Sequence, residues 1–134
     1  MLYAAILLAA LYSNRGDLRT SLFALVIAFT YYFPTELITN LGVWYAICFG
    51  FDTSVLIACL FLNNRVCYPL GTITSLLILS HIVDAVTPYS LAYNITASYL
   101  EYMQIICFIL VSPTIINYLK RKLKSCLQKY GCGY

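Results

Sequence analysis

Apolar positions along this chain fall into five runs separated by short polar links. The first, Leu2 to Tyr12, is unbroken but covers only about 11 residues, roughly 16 Å as a helix against a hydrocarbon core of about 30 Å. It predicts a short apolar helix that is either a fifth span or a half-span. No basic segment precedes it and no cleavage site follows, the first charge being Arg15, so it does not read as a secretory signal peptide. Ser13 to Arg19 is a polar turn containing Gly16 and carrying Arg15, Asp17 and Arg19.

A second run extends from Leu18 to about Ile38, with Pro34 and Glu36 making its last turn irregular, because a proline inside a helix removes a hydrogen bond. The third, Leu41 to Leu62, is a full-length span broken only by Asp52 and its neighbours. Asn63, Asn64 and Arg65 link it to a fourth, Val66 to Val86, which Pro88 closes. The fifth runs from Leu91 to Leu119, and the pair Ser112-Pro113 inside it predicts a bend or a tilt. The pattern gives an all-α, polytopic integral membrane helical bundle with four transmembrane helices plus the short N-terminal one. Residues 1–119 form the membrane domain and residues 120–134 a basic tail.

Composition removes the main alternative. Of 134 residues, 62% are hydrophobic and 10% charged, and the mean hydropathy is +0.83. A soluble domain carries about 25% charged residues. There is too little polar surface here to cover a water-soluble monomer, so most of the chain faces lipid or other subunits.

Charge sets the expected orientation. Lys120, Arg121, Lys122, Lys124 and Lys129 lie in the tail with no acid among them, whereas residues 1–119 hold three bases and five acids, a net −2. Lysine and arginine in short loops collect on the cytoplasmic side. With the C-terminus inside, the links bearing Arg15, Arg19 and Arg65 also fall inside, and the outer connections, Ile38 to Gly42 and Thr87 to Tyr93, hold no base. The N-terminus is outside if the first segment crosses. The expected location is a bacterial-type plasma membrane, with Lys120, Arg121, Lys122 and Lys124 contacting anionic lipid headgroups. Nucleic acid is not an expected partner, since no basic and aromatic module accompanies this short tail.

Gly42, Ala46, Gly50, Ser54 and Ala58 recur every four residues along the third span. Such a stripe lets a second helix approach closely, and close packing drives helix association in lipid. The partner is another part of this chain, a second copy, or another membrane subunit; Ala5 with Ala9, Ala24 with Ala28, and Gly71 with Ser75 are complements within the chain.

Asp52 lies near the middle of the third span, opposite that stripe, on a face with Tyr45, Cys48 and Cys59. An acid at this depth costs about 2.5–3.5 kcal/mol on insertion scales, so it faces protein or water, pairs, or is protonated. It reads either as an ion or proton site or as a hydrogen-bonded structural acid. His81 and Asp84 share a helix face with Thr74, and Glu101 and Gln104 share one with Asn94. Topology places these in the outer half, where Glu36 joins them; an acidic vestibule with one histidine, or a set of wet interfacial side chains, fits that placement.

Cys48, Cys59, Cys67 and Cys107 sit in or beside apolar runs and read as small hydrophobes, while Cys126 and Cys132 lie in the tail, in a reducing compartment or available for acylation in a eukaryote. No zinc-type spacing occurs, and one histidine excludes a bis-histidine haem within the chain, so no cofactor or metal is expected. Tyr12, Tyr45, Tyr68, Tyr89, Tyr93 and Tyr118 near span ends read as an interfacial belt. Asn94-Ile95-Thr96 fits a glycosylation sequon.

No nucleotide-binding glycine motif, HExxH or nucleophile elbow is present, and no enzymatic activity is expected. The leading expectation is a structural or accessory component of a membrane complex, self-associating or bound to other subunits. An oligomeric pore comes second: small size, several spans, short loops and a basic tail resemble the general plan of phage holins, a likeness of architecture and not of residues. An ion- or proton-coupled transporter using Asp52 and Glu101 comes third.

Overall fold

The computed structural model describes residues 1–32, 37–87 and 90–129. Pro34, Glu36, Pro88, Tyr89 and Cys132 lie outside them, as do the side chains of Tyr93, Asn94 and Lys129. Among the described residues the chain is all-helical, with six helices: α1 (Leu2–Ser13), α2 (Leu18–Tyr32), α3 (Leu41–Leu62), α4 (Cys67–Val86), α5 (Ser90–Leu110) and α6 (Pro113–Lys129).

Local chemistry sets several of the ends. Asn14 closes α1, and Asp17 opens α2 by accepting from the Thr20 backbone N–H at 3.2 Å and its hydroxyl at 2.6 Å. Asn40 caps α3 by accepting from the Val43 N–H. At its other end Asn63 adopts a left-handed conformation, φ 40°, which asparagine tolerates better than most residues. Pro69 falls in the first turn of α4, where the missing N–H would have had no helical partner. Ser112 is fully buried and its Oγ accepts from the Ile115 N–H, so it caps α6, with Pro113 as the first helical residue.

The Ser112-Pro113 pair therefore does more than bend a long fifth span. It ends α5 at Leu110 and restarts the chain at about 60° to it, so that the boundary read at Leu119 lies inside α6. By length and apolarity α3 and α4 are each able to cross a membrane, and the bent α5–α6 pair counts as a third candidate. The two helices α1 and α2 are apolar but short, 12 and 15 residues, or about 18 and 22 Å at 1.5 Å per residue. The irregular last turn expected around Pro34 and Glu36 lies outside the described residues.

Helix α5 is the axis of the bundle: α4, α1 and α2 pack around it, and α3 packs along α4. Phe108 and Ile105 of α5 and Ile27 of α2 are fully buried, and Phe23 meets Phe108 edge-on at 5.9 Å between ring centroids. Ala10, Ala24 and Ala28 are buried where α1 and α2 close on the core, an approach that larger side chains would prevent. Tyr3 stacks on Tyr31 at 3.7 Å, and both lie edge-on to Tyr102, joining α1, α2 and α5.

The α1–α2 link, the α3–α4 link and the α5–α6 break gather at one end of the bundle. Asn14 Nδ2 donates to the Ala10 and Phe108 carbonyls at 2.9 and 2.8 Å, Asn64 donates to the Thr20 hydroxyl, and the Thr114 hydroxyl donates to the Ser13 carbonyl at 3.1 Å. This end holds Arg15, Arg19, Arg65 and the first cations of α6, and Tyr12, Tyr68 and Tyr118 are exposed there. The small-residue stripe faces outward: Gly42, Ala46, Gly50 and Ser54 are exposed and only Ala58 is partly buried. A Cβ added at Gly50 would meet nothing within 4 Å, so the stripe has no partner helix among the described residues. Of the complements read within the chain, Ala24 and Ala28 serve the α2 core instead, and Gly71 looks toward Leu56.

Candidate functional site

Three helix faces carry polar groups to one place. On α3 the inward positions Tyr45, Cys48, Asp52, Val55 and Cys59 are spaced by three or four residues. On α4 the same spacing runs through Leu70, Thr74, Leu77, His81 and Asp84, and on α5 through Ala97, Glu101, Gln104 and Phe108. Where the three faces meet, His81 Nε2 stands 3.1 Å from Asp52 Oδ2, an ion-pair distance, with the two residues 6% and 7% exposed. Beside them Gln104 Nε2 donates to Thr74 Oγ1 at 2.9 Å, and both of these residues are buried. Trp44 lies edge-on to the imidazole at 6.0 Å between ring centroids.

A cavity of about 80 Å³ opens onto this cluster. Asp52, His81, Glu101 and Gln104 supply its polar wall, Trp44, Phe51 and Leu77 its apolar one, and Thr30 and Tyr31 of α2 close it. That volume accommodates a few water molecules, and polar partners for them are present. Glu101, on the same cavity, is only half-buried and so reaches the outside. Asp84, one turn beyond His81, is also half-buried and accepts a hydrogen bond from the Tyr45 hydroxyl.

The structure thus brings together Asp52, His81 and Glu101, which the sequence reading distributed between mid-span and the outer half. The reason is stagger. Asp52 is the twelfth residue of α3 and Glu101 the twelfth of α5, but His81 is the fifteenth of α4, so the middle of α3 packs against the last third of α4. His81 is accordingly buried and paired with Asp52; it is neither a wet interfacial side chain nor grouped with Asp84, which Tyr45 holds instead. Glu36, the fourth member of the expected vestibule, lies outside the described residues.

Sequence reasoning missed Trp44, Thr30 and Tyr31 as neighbours of the cluster, and did not pair Gln104 with Thr74. A signal for that pair existed, since Thr74 precedes His81 by one heptad and Gln104 follows Glu101 by three, placing each on its partner's face. Among the described residues no three metal-ligating side chains converge on one point.

No known protein family, characterised protein or solved structure matches the chain. The chemistry of the cluster itself therefore carries the functional argument. An aspartate and a histidine in contact have two overall neutral forms, an ion pair and a neutral acid beside a neutral imidazole, which differ only in which atom holds the proton. Glu101 adds a third titratable group toward the outside. One proton gained or lost changes the net charge of the whole cluster, and the enclosing apolar wall makes that change energetically large.

At the opposite end Asp17 is also a candidate for charge, but its role is local. Hydrogen bonds from the Thr20 hydroxyl and N–H hold its carboxyl below the usual range, which keeps it anionic as a helix cap.

Proposed function

We propose that the chain is a small integral membrane protein that takes up and releases a proton at the Asp52–His81–Glu101 cluster and so couples or conducts proton movement across the bilayer. The observation that carries this reading is the enclosed Asp52–His81 contact at 3.1 Å with Glu101 on the same cavity, assembled from three helices. Ionisable groups inside membrane helices face cavities and partners because exposure to lipid is costly, and they recur in proton relays. An imidazole and two carboxyls offer fewer oxygen ligands than calcium or magnesium takes, and among the described residues no group of three metal-ligating side chains is placed to hold a metal ion.

In this reading α3, α4 and α5 cross fully, and α2 is the fourth spanning element. Helix α1 is a half-span tucked against α5. The end bearing Arg15, Arg19, Arg65 and the α6 cations is cytoplasmic, because every base in the chain then lies on one side. The membrane is a bacterial-type plasma membrane.

Purified protein in proteoliposomes containing a pH-sensitive dye tests the proposal. With a potassium gradient and valinomycin setting the potential, the wild type acidifies the lumen faster than protein-free vesicles, and Asp52→Asn lowers that rate at least tenfold while remaining folded. A wild-type rate equal to that of empty vesicles, or an undiminished rate in Asp52→Asn, overturns it.

A second reading has its own observation. The α3 stripe is bare among the described residues, which favours a helix from a second copy or another subunit seated on it. The role is then that of an assembly component, or, if copies close into a ring, of a pore. Native mass measurement in mild detergent tests it: a discrete homo-oligomer or fixed partner supports it, and a monomer across several detergents removes it.

A further inference from the structure

We infer that α6 lies flat in the headgroup layer of the leaflet at the basic end of the bundle, as an interfacial helix that seats on anionic lipid. The inference does not depend on proton handling. Its first support is direction: α6 leaves α5 at about 60°, at a break built by the Ser112 cap and Pro113, and the Thr114 hydroxyl fastens its start to the end of α1. Beyond that first turn no described residue of the bundle covers it, and residues 117–128 are exposed.

The second support is the division of its surface. At about 100° per residue, Ile115, Ile116, Leu119, Leu123, Cys126 and Leu127 occupy one arc of roughly 120°. Leu119, Leu123 and Leu127 are 57%, 61% and 47% exposed, an apolar stripe about two and a half turns long that no described residue covers. Arg121 and Lys124 lie on the other side, and Lys120 and Lys122 border the apolar arc on its two edges. Long cationic side chains at those edges rise to the headgroups while their methylenes cover the boundary. Helix α6 contains no acid, so its polar face complements a negative surface.

Position selects the bilayer over a protein groove as the occupant. The root of α6 is where α5, which the proposed topology takes across the membrane, ends. Tyr12 and Tyr68 are exposed at the same end, with the Arg15 guanidinium 4.5 Å from the centre of the Tyr12 ring. Arg65 and Lys120 line one polar recess of about 390 Å³ beside that root, extending the cationic surface from α6 onto the bundle. An aromatic and cationic rim of this kind belongs at headgroup depth.

Site-directed spin labelling of the full chain tests this, with single cysteines at Leu123 or Lys124 in a background whose native cysteines are replaced. In nanodiscs of phosphatidylcholine with phosphatidylglycerol, the label at 123 collides with oxygen and is shielded from a water-soluble nickel chelate, and the label at 124 shows the reverse. The contrast shrinks in phosphatidylcholine alone and at high salt. Hydrogen–deuterium exchange of the unmodified protein supplies the same answer without substitutions: residues 115–128 exchange several-fold more slowly when phosphatidylglycerol is present. Equal chelate access at 123 and 124 in both lipids places α6 in water and overturns the inference. Shielding of both labels makes α6 part of a span, and shielding of 123 that requires a bound protein makes it a protein-docking helix; each of these also overturns it.

Discussion

Removing either member of the Asp52–His81 pair should have unequal consequences. At 3.1 Å the gross attraction between full charges is about 5 kcal/mol for an effective dielectric of 20. Withdrawing two groups from water, each more than nine-tenths hidden, offsets much of that. The net coupling expected is about 1–3 kcal/mol. His81→Ala takes the imidazole from a buried carboxyl and should cost about 3 kcal/mol. Asp52→Ala leaves an imidazole that can stay neutral, and should cost about half as much. Reversible unfolding in mixed detergent micelles, followed by circular dichroism, gives both values and that of the double variant. The double variant should be more stable than the sum of the single losses predicts, by about 1–3 kcal/mol. Additivity to within about 0.5 kcal/mol would show that the two side chains do not interact, and the site argument would fall with it.

Asn14→Ala removes the hydrogen bond that ties the end of α1 to the Phe108 carbonyl of α5, together with one to the Ala10 carbonyl within α1, and should cost about 1–3 kcal/mol in the same unfolding assay, because a buried acceptor is left without its donor. Asp17→Ala should cost about 1 kcal/mol at neutral pH through loss of the α2 cap. Since the folded carboxyl titrates below its unfolded value, the advantage of the wild type is fully present above about pH 4 and disappears as pH falls through the lowered folded value; a difference that persists in stronger acid would refute the assignment. Gly50→Leu should leave the unfolding free energy of the monomer within about 0.5 kcal/mol, since its side chain enters open space, yet dissociate any oligomer seated on the stripe; native mass spectra distinguish the two effects. Pro113→Ala should narrow the 60° angle between α5 and α6, read as a longer distance between spin labels near Ala97 and Leu127.

The legible part of this fold was whatever a single helix decides. Asp52 opposite the glycine stripe, His81 one heptad after Thr74, and Glu101 one turn from Gln104 all follow from a rotation of about 100° per residue, and the structure keeps each on that face. Ser112 and Pro113 likewise announced a break, because cap and proline chemistry act over a few residues. What depends on two helices at once was not legible. The stagger that sets Asp52 beside His81 comes from how side chains of α3 and α4 interlock, and no periodicity within either helix encodes it. The cluster of Tyr3, Tyr31 and Tyr102 was hidden for the same reason: its members come from three helices.

The chain has one histidine, so isotope labelling of histidine reports on the site alone. Nitrogen-15 spectra of the protein in nanodiscs, recorded as the buffer is stepped between about pH 5 and 8, test the central claim most directly. The account predicts that the ring nitrogens of His81 respond to the buffer, showing proton exchange between the enclosed cluster and water, and that Asp52→Asn alters the response. Spectra that stay unchanged with pH, identical in wild type and Asp52→Asn, would contradict it and leave the pair as a fixed structural contact.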